Sequence, residues 1–211
     1  CYICIVKKEL LIMEIKEIEL KERNITIFND VEESTISTAV EKIFQINQED
    51  TEWVKKLYNL MDSSGAKFKF SALPSIEMPH IQVLLSTYGG DVYDGLSLYD
   101  AIKNSNTEVD ITCFGKIMSM GIIILLASKN RKAYRNTTFM IHELSAGAIG
   151  KLADLEESVD ESKRLNKVLF DIIEKETKIT KEQLEEIYNK KQDWFLTAED
   201  ALKLGIITEI I

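Results

Sequence analysis

The 211 residues contain only two histidines, which narrows the choice of a general base. His80 follows Pro79, and His142 ends an apolar run, Thr138 to Ile141. A histidine in either setting can be structural; what raises His142 is the company available to it. Ser119 opens an apolar stretch of helical character, Ser119 to Ala127, after a β-rich run and Gly115. Its hydroxyl would then stand at a helix N-terminus, where free N–H groups and the helix dipole favour developing negative charge. Alone, Ser119 reads as a helix cap. Asp193, beside Trp194 and Phe195, could orient an imidazole or simply sit in a turn. Gly89 and Gly90 follow a buried-type strand, where paired glycines make a tight turn or let backbone N–H groups approach an oxyanion. These residue types suit acyl transfer by a serine nucleophile, but sequence spacing alone does not bring them together.

Other chemistries find little support. Tyr88 stands before the glycine pair, so no dinucleotide fingerprint forms, and GAIGK at 147–151 lacks the spacing and following Ser or Thr of a phosphate-binding loop. No cofactor is expected in this chain. Cys1 and Cys4 form a C-x-x-C without a second pair, and Cys113 lies in an apolar run as a free buried thiol would, which suits a reducing compartment. A net charge of −9 disfavours nucleic acid as a partner and leaves proteins or peptides. The opening CYICIV is too short to span a bilayer and lacks the features of a signal peptide, so a soluble, cytoplasmic protein is expected.

The elements that must position these residues read as α/β. Ile25 to Phe28 is a short strand, followed by a helix carrying Ile36, Ala39, Val40, Ile43 and Phe44 on one face. Residues 46–79 differ in composition, hold both prolines, and carry Trp53, Leu57, Leu60 and Met61 at helical spacing; they read as an insertion with its own short helix. From Ile81 strands alternate with helices: Ile81–Leu85, a helix through Leu96, Tyr99 and Ile102, Val109–Phe114, and the Ser119 helix. Strands at Lys132–Tyr134 and Thr138–His142 and a long helix from about Leu152 to Glu176 follow. Capping boxes at Thr180/Gln183 and Thr197/Asp200 start two more helices, the second ending at Gly205 before a strand at Ile206–Ile211. The alternation implies βαβ units and a mostly parallel sheet. With 45% hydrophobic residues, one domain over 13–211 is expected, residues 1–12 being an extension without structural weight.

Five stretches, in order, resemble the Clp protease proteolytic subunit. They are LLSTYGGDVYDGLSLYDAI at 84–102, CFGKIMSMG at 113–121 with an S-M-G nucleophile motif, FMIHE at 139–143 with an M-I-H motif, GAIGKLADLE at 147–156, and DWFLTAEDALKLGIITEII at 193–211. The resemblance implies a Clp/crotonase-type α/β spiral with a projecting long helix. It implies that Ser119 attacks the scissile carbonyl, His142 moves the proton, Asp193 holds the imidazole, and the N–H groups of Gly90 and Met120 receive the oxyanion. It further implies a homo-oligomeric chamber of stacked rings that hydrolyses unfolded polypeptides, fed by a separate AAA+ unfoldase that uses the ATP. Within the same fold, a bacteriophage head-maturation protease, a non-catalytic ring subunit and an acyl-CoA hydratase-like enzyme are the competing readings. The presence of all three candidate triad residues argues against the second, and the S-M-G and M-I-H motifs argue against the last. The sequence departs from the family pattern at Thr87 and Tyr88 (usually Ser-Pro), at Lys116 (usually Gln), at Gln192 (commonly Arg) and in the length of 46–79.

Overall fold

The structure, a computed structural model, describes residues 22–62, 78–145, 147 and 149–211. In chain order the elements are β1 (Asn24–Ile27), α1 (Glu33–Asp62), β2 (Ile81–Thr87), α2 (Val92–Lys103), β3 (Val109–Met118), α3 (Met120–Leu126), β4 (Asn130–Ala133), β5 (Thr138–Ile141), α4 (Leu152–Glu176), α5 (Lys181–Lys190), β6 (Trp194–Leu196), α6 (Ala198–Leu204) and β7 (Glu209–Ile210). The sheet runs β1-β2-β3-β4-β7 with every pair parallel. β5 joins β3 in parallel, and β6 joins β5 antiparallel. This is the expected α/β architecture, with βαβ alternation feeding a parallel sheet. Inward positions of the central strands, among them Ile27, Ile81, Leu85, Ile111 and Cys113, are fully buried. Every residue of α3 is buried, which is why that helix reads as apolar all round rather than amphipathic.

One irregularity in the sheet decides where the chemistry falls. Leu85 pairs with Cys113 but Thr87 pairs with Ile117, so β3 advances 117 − 113 = 4 residues while β2 advances 87 − 85 = 2. Gly115, at φ +67, sits in this bulge, in a conformation that glycine adopts at little cost. Before the bulge β3 pairs with β4, through Asp110–Cys113; after it β3 pairs with β5, through Lys116–Met118. The strand thus leaves one neighbour for another and delivers Ser119 beside the end of β5.

The structure corrects the boundary drawn at residue 46. α1 is one helix of 30 residues, and the sequence from Glu33 to Asp62 contains no glycine or proline to stop it. Its inner face carries Ile36, Ala39, Ile43, Ile46 and Asp50, all buried and spaced three and four apart. Asn47 accepts hydrogen bonds from the backbone N–H groups of Asn106 (2.9 Å) and Thr107 (3.0 Å). Asp50 pairs with the buried Arg23 and accepts from the Thr107 hydroxyl. The helix is therefore core up to residue 50 at least. Of the proposed insertion, residues 63–77 lie outside the described residues, as do residues 1–12.

Both predicted capping boxes form, at Thr180 and Thr197, and Gly205 ends α6 in the left-handed conformation. The last strand is shorter than expected because the N–H groups of Ile206 and Ile207 turn back to the carbonyl of Ala201 and are spent on the helix end. Among the described residues no helix is long and apolar enough to cross a membrane.

Candidate active site

Met118 on β3 is paired with Met140 on β5, so Ser119 and His142 emerge just beyond the ends of two neighbouring strands. The Ser119 N–H donates to the Met140 carbonyl at 2.9 Å, and the Ser119 carbonyl accepts from Ile122 at 2.9 Å, fixing the turn into α3. Ser119 itself has φ 53 and ψ −123, a backbone state that L-residues resist and that lifts its side chain out of the strand-to-helix turn. The imidazole Nε2 of His142 lies 2.8 Å from the Ser119 Oγ. With the ring proton on Nδ1, Nε2 accepts from the serine O–H, as a general base must.

The glycine pair packs against this couple. Gly89 has φ +100, and a Cβ there would fall 2.6 Å from the Ser119 Cβ; Gly90 has φ +148, and its Cβ would fall 2.3 Å from the Val31 carbonyl oxygen. No side chain fits either position. Val31 donates to the Gly89 carbonyl at 2.8 Å and accepts from the Asp91 N–H at 2.7 Å, a bridge in which the N–H of Gly90 takes no part. The Gly89 N–H is held by the buried Thr87 hydroxyl at 3.1 Å. Asp91 caps α2, accepting from the N–H groups of Tyr93 and Asp94, and so anchors the far side of the turn. Met120, as the first residue of α3, has no carbonyl one turn back for its N–H. A cavity of about 310 Å³ opens on Ser119, His142 and Gly90, walled by apolar side chains such as Val92, Ile122, Met140 and Phe170.

Asp193 is placed differently. β5 and β6 pair Ile141 with Trp194, so one further step sets Asp193 across from His142. Its carboxylate is exposed, and among the described residues no hydrogen bond joins it to the imidazole. Ser119 and His142, then, are joined directly, while Asp193 is adjacent by register.

The second histidine is accounted for elsewhere. His80 precedes β2, at the end of the parallel sheet opposite to Ser119, and its Nδ1 lies 2.9 Å from Asp110. Burial alone would raise the Asp110 carboxyl, but hydrogen bonds from Asn130, Gln82 and His80 outweigh it and hold the group below the usual carboxylate range. Cys113 is a free thiol pushed far up by burial and is inert as a nucleophile.

Three contacts around the site escaped the sequence reading. The Thr87 hydroxyl holds the Gly89 N–H, the Lys116 ammonium lies 4.3 Å from the centre of the Tyr88 ring, and the Tyr93 hydroxyl donates to Glu161 at 2.7 Å. The last ties the start of α2 to α4; hydrogen bonds from Arg164 and then Tyr93 hold the Glu161 carboxyl at about 2. The Tyr93 and Glu161 partners are 68 residues apart, and no local pattern announces them. For Tyr88 and Lys116 the departures from the family pattern were the available signal.

The Clp protease family model matches residues 72–211, which include every candidate site residue. The chain belongs to the Clp protease family. Among its relatives, the ATP-dependent Clp protease proteolytic subunit of Deinococcus radiodurans is 38% identical over 133 residues, covering 62% of this chain and 64% of that protein. The ATP-dependent Clp protease proteolytic subunit 2 of Chlamydia trachomatis serovar D is 33% identical, covering 62% and 64%, and the proteolytic subunit of Borrelia garinii subsp. bavariensis is 32% identical, covering 62% and 68%. The match to the first of these spans a little under two thirds of the relative's length. Among solved structures, a mutant of ClpP1 from Listeria monocytogenes superposes with a TM-score of 0.68 over 93% of this chain and 94% of that one, at 21% identity. That likeness gives the Clp fold, and it covers more of the chain than the family match does.

Proposed function

We propose that the chain is the peptidase subunit of a Clp-type protease, a serine endopeptidase that hydrolyses unfolded polypeptides. The observation that carries this reading is the 2.8 Å approach of His142 Nε2 to Ser119 Oγ beside the Gly89–Gly90 turn. In the reaction Ser119 Oγ attacks the scissile carbonyl carbon while its proton passes to His142. The carbonyl oxygen, now anionic, is received by the N–H groups of Gly90 and Met120. His142 returns the proton to the leaving amine nitrogen as the C–N bond breaks, leaving an acyl ester on Ser119. Water, deprotonated by His142, then releases the second product and restores the serine. Asp193 steadies the imidazole from across the β5–β6 pair, and the apolar cavity accepts a side chain of the substrate.

The relatives' description as ATP-dependent proteolytic subunits supports a homo-oligomeric chamber of stacked rings, a cytoplasmic setting, and an AAA+ unfoldase that consumes the ATP. It also favours this reading over a head-maturation protease. The test is covalent labelling of the purified oligomer with a fluorophosphonate probe, followed by peptide mapping. Label on the peptide that contains Ser119 is expected, while absence of label or its appearance elsewhere overturns the assignment.

A further inference from the structure

Tyr88 and Lys116 stand at the ends of the two segments whose meeting makes the site. Tyr88 immediately precedes Gly89, which lies against Ser119, and Gly90, the proposed oxyanion donor; Lys116 lies on β3 three residues before Ser119. Thr87 and Ile117 are paired across β2 and β3 and are fully buried. Strand alternation turns Tyr88 and Lys116 to the opposite face, where the lysine Nζ lies 4.3 Å from the centre of a ring that is 63% exposed. Tyr88 is also among the residues that line the cavity at Ser119. A proline at 88 would fix φ of this turn through its own covalent ring; a tyrosine does not.

We propose that Lys116 and Tyr88 are paired positioning residues. The ammonium on the aromatic face clamps the turn from Thr87 to Gly90 onto the end of β3, fixing the Gly90 N–H relative to the Ser119 hydroxyl. This inference rests on the reading of Ser119 as nucleophile and adds to it the device that keeps the oxyanion donor in register without proline. A donor that loosens is missed most where the charge develops, in the transition state, so kcat falls while KM holds. For an exposed cation–aromatic contact the loss is about two- to five-fold.

The test measures kcat and KM on a fluorogenic apolar peptide for the full-chain oligomer, wild type and variants. Lys116→Met and Tyr88→Leu should each lower kcat by about two- to five-fold with KM unchanged. Lys116→Arg keeps the cation and Tyr88→Phe keeps the ring, and both should retain the rate. The double variant Lys116→Met/Tyr88→Leu should be no slower than the slower single variant, because the second change removes a contact already lost. Spectra of [15N]glycine-labelled protein follow the Gly89 and Gly90 amides independently of catalysis. Their resonances should move in Lys116→Met and Tyr88→Leu and stay in Lys116→Arg and Tyr88→Phe. Unmoved glycine amides in Lys116→Met, single losses that multiply in the double variant, or losses confined to KM would overturn the clamp. Glycine amides that move as expected in a protein that neither hydrolyses peptide nor labels at Ser119 would uphold the clamp and overturn the peptidase reading.

Discussion

A Cβ placed on Gly89 would fall 2.6 Å from the Cβ of Ser119 and 2.9 Å from the Met118 carbonyl oxygen. The turn that carries the proposed oxyanion donor is thus seated directly on Ser119 and its two chain neighbours, with no room for a methyl group. Gly89→Ala must push the two apart, and the backbone at φ +100 opposes alanine as well. The expected result is a loss of at least about ten-fold in kcat, as misplacement of an oxyanion donor produces. The strain, on the order of 1–3 kcal/mol, should lower Tm by several degrees without unfolding the protein. Steady-state hydrolysis and a melting curve on the same preparation check both.

Ser119 holds a strained backbone at the turn into α3, at φ 53 and ψ −123. Ser119→Ala removes the proposed nucleophile but keeps the Cβ and the strain; Ser119→Gly removes Cβ and strain as well. Each should reduce hydrolysis by several orders of magnitude. The glycine variant should melt above the alanine variant, against the usual order of these residues in regular structure. Equal or reversed Tm values would show that the turn is relaxed around the serine.

Asp193 reaches the site through the β5–β6 register alone. If its carboxylate holds the imidazole tautomer in the working enzyme, Asp193→Asn should leave Ser119 in place yet lower kcat by about 10⁴-fold, the loss typical of a mis-set tautomer. A loss under about ten-fold would mean that His142 is oriented by its backbone and by Ser119 without an acid. Rates for the purified variant against the same peptide separate the two.

The legible parts of this molecule were those written as local pattern. The βαβ alternation, both capping boxes and the glycine stop of α6 depend on neighbours within a few residues. So does the placing of Ser119 at a helix start and of His142 at a strand end. The first turns of α1 were legible, since Ile36, Ala39 and Ile43 keep one spacing; its run past residue 46 was not. Asn47 and Asp50 interrupt the apolar spacing, and their partners, Thr107 and Arg23, lie 60 and 27 residues away. The bulge at Gly115 was hidden for a related reason. A slip between two strands is a property of the pair, and in β3 alone Gly115 reads as the end of a strand that stops at Phe114. Asp193 could be named from a motif, but its distance from the imidazole depends on side-chain placement that no spacing encodes.

The buried pair of Arg23 and Asp50 gives that reading a direct check. Both side chains are 8% exposed, and Asp50 also receives the Thr107 hydroxyl while Arg23 donates to the Pro79 carbonyl at 2.9 Å. Asp50→Ala leaves a buried guanidinium without its counter-charge and should destabilise by about 3–5 kcal/mol. Replacing both, as Arg23→Met with Asp50→Leu, should recover most of that loss, because packed apolar groups often match a buried ion pair. Chemical denaturation of the three proteins measures it. A small effect from Asp50→Ala would return this part of α1 to the status of a surface addition.

Asp110 supplies a pH dependence whose sign is fixed by its surroundings. Burial raises its carboxyl, but hydrogen bonds from Asn130 at 2.8 Å, Gln82 at 3.1 Å and His80 at 2.9 Å act more strongly in the other direction. A folded-state value below the ordinary 3.8 means that the folded protein binds this proton less readily than the unfolded chain. The carboxylate therefore contributes stability that is complete above pH 3.8 and is lost as the pH falls through the lower folded-state value. Asp110→Asn, which cannot ionise, should be less stable than wild type by about 1–2 kcal/mol near neutrality, the scale of hydrogen bonds to a charged group partly replaced by neutral ones. That gap should close as the pH drops below 3.8, where the wild-type carboxyl also becomes neutral. Melting curves for both proteins across the acid range test it: a gap that stays constant through that window would mean the ionised carboxylate gains nothing from its three donors.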